Sequence, residues 1–224
     1  EPDVGRACLE QMLQASDSEV TVKCRIGVDD QIAQETLPEF LSMVQSTGVK
    51  RVTIHARKAW LKGLSPKENR DVPPLDYPLV QEMKCAFPGL HLSINGGVSS
   101  LTAAKKHLSA GMDGVMIGRA AYQNPYDILA RVDCDVFDGD AASSAEDIAA
   151  QMIPYIEAHL KKGGRLHQIT RHMFGLFAGQ TGARHWRKRL SELGGCHSSD
   201  VADYRILLDE IRVILGQQQK LETI

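Results

Sequence analysis

No stretch of eighteen or more apolar residues occurs in the 224-residue chain, so it offers no transmembrane helix. The opening residues, EPDVGRACLEQM, lack both a charged leader and an apolar centre. They are neither a signal peptide nor a transit sequence, and read as a helix already under way with Pro2 near its first turn. Cysteine is sparse and scattered: Cys8, Cys24, Cys85, Cys134 and Cys196 include no CxxC pair. That spacing argues against a zinc site or a disulfide framework and predicts reduced thiols in a cytoplasmic protein. A net charge of −2 and a pI near 6.5 exclude a globally basic nucleic-acid binder. One local absence points the other way. From Lys161 to Arg189, twenty-nine residues hold eight Lys/Arg, three His and no Asp or Glu. A solvated helical face normally mixes both signs, so this segment predicts a patch for phosphates.

What is present is a regular alternation. Four short apolar runs recur: Val20–Ile26 (VTVKCRI), Arg51–His55 (RVTIH), Leu90–Ile94 (LHLSI) and Gly114–Ile117 (GVMI). Helical patterns separate them over Gln31–Ser46, Pro78–Phe87 and Leu101–Ala110; in the first, Leu37, Phe40, Leu41 and Val44 recur at helical spacing. Strand and helix in alternation predict parallel βα units. Each strand runs into polar or glycine-rich residues, so function is expected at the C-terminal edge, where βα barrels and doubly wound sheets place their ligands. Four units are half of the eight that a closed (β/α) barrel needs.

Composition changes after Pro125. Asp133–Ser144 (DCDVFDGDAASS) reads as an acidic linker. Beyond it, Ser144–Lys162, Arg165–Ala178, Gly182–Leu193 and Ser199–Gln219 carry helical patterns, punctuated by Gly163-Gly164, Gly179 and Gly194-Gly195. Ser144 with Asp147, and Ser199 with Ala202, offer N-caps. The predicted organisation is α/β over residues 1–132, a linker over 133–144, and an all-helical domain over 145–224.

The strand ends supply the candidate chemistry. His55 closes the second strand and opens a loop, Arg51–Arg70, with Arg57, Lys58, Trp60, Lys62, Lys67 and Arg70 against one acid, Glu68. Such a loop is suited to an anionic partner. Asn95-Gly96-Gly97 and Gly118-Arg119 end the next two strands, where glycine lets backbone N–H groups approach a ligand and Arg119 adds a guanidinium. Lys23, within an apolar strand, needs an anionic or electron-rich partner; a flavin ring and a core carboxylate serve equally. Cys24, on the opposite face by strand alternation, reads as packing. Trp60 reads equally as a substrate contact and as a loop anchor.

The segments VTVKCRIGVDD, IHARKAWLKGLSPKENRDVPPLDY, INGGV, DGVMIGRAAYQNP and TRHMFGLFAGQTGARHWRK together resemble the tRNA-dihydrouridine synthases, and within them the A-type subfamily. The resemblance implies the C-terminal half of a TIM barrel, four βα units, followed by a helical tRNA-binding domain. It implies FMN as cofactor, NADPH as reductant, and reduction of D-loop uridines at tRNA positions 20 and 20a. Carried over, Lys23, His55, Asn95, Gly96, Gly97, Gly118 and Arg119 match FMN contacts. Arg184 and Arg187 match tRNA contacts, and Lys67, Asn69 and Arg70 resemble the segment that meets the substrate over the active site.

The family's proton-donating cysteine lies in an NxGCP motif at an earlier strand end, and no such motif occurs here. The resemblance thus implies that the first half of the barrel is missing and that no catalytic residue lies in these residues. On that reading the chain alone is inactive, and is either a portion of a synthase, a non-catalytic tRNA-binding module, or a half-barrel completed by an N-terminal half or a second copy.

Overall fold

The structure, a computed structural model, describes residues 2–222. The chain divides into two compact units, Glu1–Ile117 and Gly118–Ile224. The first unit runs α1 (Pro2–Ala15), β1 (Thr21–Arg25), α2 (Ala33–Ser46), β2 (Arg51–His55), α3 (Tyr77–Ala86), β3 (His91–Asn95), α4 (Leu101–Ser109) and β4 (Gly114–Met116). The strands form one parallel sheet in the order β1-β2-β3-β4. The architecture of this unit is therefore α/β with four parallel strands, as the alternation of patterns predicts.

Register decides what each face of this sheet carries. Lys23 lies opposite Thr53, and Arg25 opposite His55. Thr53 lies opposite Ser93, His55 opposite Asn95, and Asn95 opposite Met116. Because side chains alternate along a strand, these residues share one face. The intervening Val22, Cys24, Val52, Ile54, Leu92, Ile94 and Val115 share the other. Ile54, Leu92 and Ile94 are fully buried there, against Leu37, Leu41 and Val44 of α2 and Leu79, Val80 and Met83 of α3. Each such side chain contributes about 1.5–3 kcal/mol on burial. The apolar face holds the unit together and leaves the polar face to chemistry.

The second unit, among the described residues, is helical: α5 (Arg119–Gln123), α6 (Pro125–Val136), α7 (Ala145–Gln151), α8 (Ile153–Lys161), α9 (Leu166–Thr170), α10 (Ala183–Gly195) and α11 (Val201–Glu222). Asp133–Val136 continue α6, so the acidic segment is irregular only from Phe137 to Ser144. Helix Ser144–Lys162 is interrupted at Met152, and the helix expected over Arg165–Ala178 stops at Thr170 and continues as turns. Ser144 caps α7 by accepting from the Asp147 N–H at 3.0 Å. At α11 the cap is Asp200, not Ser199: the Asp200 carboxylate accepts from the Ala202 N–H at 2.7 Å. A carboxylate is the stronger acceptor at a helix N-terminus. Fully buried Trp186, Tyr204 and Phe177 centre the core. Trp186 Nε1–H donates to Met173 O at 2.8 Å and the Tyr204 hydroxyl to Ala149 O at 2.9 Å, so neither aromatic leaves a polar atom stranded.

One loop of the first unit, irregular apart from a 3-10 turn at Glu68–Arg70, is fixed largely by side chains. After β2 the chain pairs with the turn after β1: Ala59 N–H donates to Gly27 O at 2.9 Å and Asp29 N–H to Ala59 O at 2.7 Å. Asp29, at φ 48°, takes the left-handed conformation that Asp tolerates, and its carboxylate accepts from the Leu61 N–H at 2.8 Å. Asn69 closes the loop from within. Its Oδ1 accepts from the Trp60 N–H at 2.7 Å, and its Nδ2 donates to Trp60 O at 2.7 Å and Leu64 O at 3.2 Å. Asn69→Ala removes these bonds and a longer one to Ser65 O, each good one worth about 1 kcal/mol. We expect tryptic cleavage at Lys62 and Lys67 to accelerate by about tenfold or more, with little change in the global melting temperature. Unchanged loop cleavage would show that Asn69 does not hold the loop.

Candidate functional site

The polar sheet face is cationic. Lys23 and Arg25 stand two residues apart on β1, Thr53 and His55 follow on β2, and Ser93 and Asn95 on β3. None of the strand residues on this face is Asp or Glu. Burial, and then the neighbouring Arg25 guanidinium, lower the Lys23 pKa, with Cys24 acting in the opposite sense. A lysine depressed in this way gains from an anion placed against it. On the other face, burial pushes the Cys24 thiol up to about 12, which leaves it a packing residue and not a nucleophile.

The strand ends converge on Gly96 and Gly97. Both have positive φ, 106° and 70°. A Cβ on Gly96 would come within 3.2 Å of the His55 ring, and one on Gly97 within 2.6 Å of Leu75 Cδ1 and 2.8 Å of the Tyr77 hydroxyl. Glycine is required here by conformation and by space. The Tyr77 hydroxyl donates to Gly96 O at 2.7 Å, and Asn95 Nδ2 donates to Met116 O at 2.7 Å, which locks β3 to β4 at the edge. His55 is buried, with 8% of its surface exposed. The structure thus brings His55, Asn95, Gly96 and Gly97 to the C-terminal ends of neighbouring strands, with Lys23 on the same sheet face but in mid-strand. Gly118 and Arg119 open the second unit, as N-cap and first residue of α5.

Arg25 is the residue that sequence reading undervalued. From the sheet face, its Nη1 donates to Lys58 O at 2.8 Å and to Asn69 O at 2.9 Å, gripping both ends of the basic loop. Burial first, then the charges of Arg70 and Arg57, depress its pKa, so three guanidinium groups crowd this corner. The available signal was alternation, because a residue two places after Lys23 shares its face. Within the loop the expected contacts separate. Lys67 and Arg70 are exposed, whereas the Asn69 side chain is committed to the loop itself. Glu68 is also committed: its carboxylate accepts from the Ser65 N–H at 2.8 Å, and hydrogen bonds from Ser65 lower its pKa. The half-buried Trp60 carries the Lys58 ammonium 5.4 Å from its ring centroid.

In the second unit, Trp186 anchors α10 inward and turns Arg184 and Arg187 outward, where both are exposed. The acid-free segment is partly neutralised by acids that lie beyond it in sequence. Glu210 accepts from His185 Nε2 at 2.6 Å and Arg189 Nε at 3.0 Å. Glu192 pairs with Arg189 at 2.8 Å and Lys188 at 3.8 Å. Arg171, Arg184 and Arg187 form no ion pair among the described residues.

Comparison with known proteins agrees with this geometry. The family model "Dihydrouridine synthase (Dus)" matches residues 1–208. A tRNA-dihydrouridine(20/20a) synthase of Shewanella oneidensis is 54% identical over 194 residues, covering 86% of this chain and 57% of its own length. Its namesake in Escherichia coli strain K12 is 50% identical over 214 residues, 94% of this chain and 60% of the relative. That of Vibrio cholerae is 50% identical over 194 residues, 86% and 59%. The chain therefore spans about three-fifths of the length of the curated relatives it matches. With the family model running through both the cationic sheet edge and the helical unit, the chain belongs to the dihydrouridine synthase family.

Proposed function

We propose that this chain is the C-terminal part of an FMN-dependent tRNA-dihydrouridine synthase: the second half of a (β/α)8 barrel followed by a helical tRNA-binding domain. The observation that carries the cofactor assignment is the acid-free polar face, where Arg25 lies in register with His55 and Asn95 and Lys23 stands two residues before it, opposite Thr53. This donor set fits an anionic, hydrogen-bond-accepting ring system, and Gly96-Gly97, both at positive φ, suit a turn whose backbone N–H groups meet a ligand. Lys23, His55, Asn95, Gly96 and Gly97 would hold FMN, and Gly118-Arg119 would serve its phosphate. When bound, FMN supplies two-electron transfer from NADPH to the C5–C6 bond of uracil.

The remaining steps belong to this chain's own residues. Lys23 offers positive charge where the ring is electron-rich. Arg25 holds the 57–70 loop over the sheet edge through Lys58 O and Asn69 O. Lys67 and Arg70 then face solvent as a cationic lip for the tRNA backbone. Arg184 and Arg187 present a second set of charges for the same partner. The substrate is tRNA, by analogy with the relatives' names, at D-loop uridines 20 and 20a. A base that reacts with a flavin must leave its stack, and the cationic contacts offset that cost.

The proton donor is absent from these residues, because the family's NxGCP motif does not occur in them. In addition, β1 and β4 each have one neighbouring strand, which favours completion of the sheet by an N-terminal half or a second copy. The chain alone, given FMN, NADPH and unmodified tRNA, is expected to form no dihydrouridine. The same mixture supplemented with the NxGCP-bearing N-terminal portion of a relative is expected to form it. Product from the chain alone at ordinary turnover would sink the requirement for that half. In the supplemented mixture, Lys23→Ala should weaken FMN about tenfold or more, the loss expected for one hydrogen bond to a charged group, as read by quenching of flavin fluorescence. Undiminished FMN affinity would remove Lys23 from the cofactor site. Arg184→Ala with Arg187→Ala should weaken tRNA binding and lower the slope of log K against log salt by about 1.4–1.8. An unchanged slope would exclude both arginines from phosphate contact.

A further inference from the structure

A cavity of about 200 Å³ in the second unit is lined by Tyr122 and Gln123 of α5, Arg187 of α10, and Arg171, His172, Phe174 and Gly175 of the turns after α9. Its depth depends on Gly175, because a Cβ there would overlap Gln123 O and touch Pro125 Cδ. The close approach brings His172 onto Tyr122. The Tyr122 hydroxyl lies 2.8 Å from His172 Nδ1, and Arg171 Nε donates to His172 Nε2 at 3.0 Å.

These two bonds assign the tautomer. A guanidinium N–H only donates, so His172 Nε2 carries a lone pair and its proton lies on Nδ1. Nδ1–H then donates to the Tyr122 oxygen, which leaves the Tyr122 O–H proton for a further acceptor. The order of donation is Arg171 to His172 to Tyr122, with the last donor unspent at a side chain that is 59% exposed. Arg171 and Arg187 line the same cavity, and neither forms an ion pair among the described residues. Within the acid-free segment, His185, Lys188 and Arg189 are taken by Glu192 and Glu210, but the charges of this cavity are not.

We propose that this cavity seats a single backbone phosphate of tRNA, with Arg171 and Arg187 supplying charge, the Tyr122 hydroxyl the third hydrogen bond, and His172 acting as the positioning residue between Arg171 and Tyr122. The proposal rests on the tRNA reading above and adds a site to it. Two guanidinium groups and a neutral O–H donor match the several oxygens of a phosphodiester.

The test is binding of unmodified tRNA to the full chain, by fluorescence anisotropy across a salt series. Tyr122→Phe removes a neutral donor and releases no counterion, so affinity should fall about three- to tenfold at every salt concentration with the slope unchanged. Arg171→Gln should weaken binding further as salt falls, and Arg171→Gln with Arg187→Gln leaves that phosphate without a cation and should lower the slope by about 0.7–0.9. Both side chains are exposed, and circular dichroism with a thermal melt confirms that each variant is folded. Folded Tyr122→Phe and Arg171→Gln proteins with the parent's affinity and slope overturn the phosphate seat while leaving the tRNA reading intact. Failure of the unaltered chain to bind tRNA overturns both.

Discussion

Parallel register across β1, β2 and β3 is the constraint on which the first unit depends. It sets Lys23 beside Thr53 and Ser93, and Arg25 beside His55 and Asn95. A shift of one residue in any strand would turn its polar residues into the packed layer of α2 and α3 and its apolar residues outward. Burial of Val52, Ile54, Leu92 and Ile94 excludes that shift, because each buried aliphatic side chain is worth about 1.5–3 kcal/mol. The packing face thus fixes the chemical face, although the two share no side chain.

Arg25 extends this order from the sheet to the loop. A guanidinium has several donors in a rigid plane, and here one nitrogen binds carbonyls eleven residues apart in sequence, Lys58 O and Asn69 O. The loop is then closed by Asn69 and tied to the preceding turn through Asp29. Lys67 and Arg70 are exposed at the tip of this frame. This division between residues that build a loop and residues that it presents is a general route to a precise cationic surface without regular structure.

In the helical unit the organising element is the buried aromatic group of Phe177, Trp186 and Tyr204, with Phe177 and Trp186 rings 4.8 Å apart. Trp186 fixes the rotation of α10 and hence the exposure of Arg184 and Arg187. The charge of the segment is then edited by Glu192 and Glu210. What remains uncompensated is a subset of the basic residues, and a subset has a position where a run has only a sign.

The sequence by itself determined the alternation of strands and helices, the helical second part, the polar and glycine-bearing strand ends and the family, because periodicity, β-branched runs and long motifs are local. His55, Asn95, Gly96 and Gly97 were legible as strand-end residues, and Lys23 as a charge within a strand, for the same reason. The tertiary structure decided the rest. Asn69 is a loop clamp and Arg25 a loop holder because their partners lie up to forty-four residues away. Asp200 caps α11 because a carboxylate at the right turn outcompetes the hydroxyl of Ser199. The twenty-nine-residue basic segment is partly neutral because Glu210 comes from another helix. Tyr122 and His172 carry no joint signal along the chain; Gly175 brings them together. Charge and period are written locally, whereas compensation between groups far apart in sequence exists only once the chain has packed.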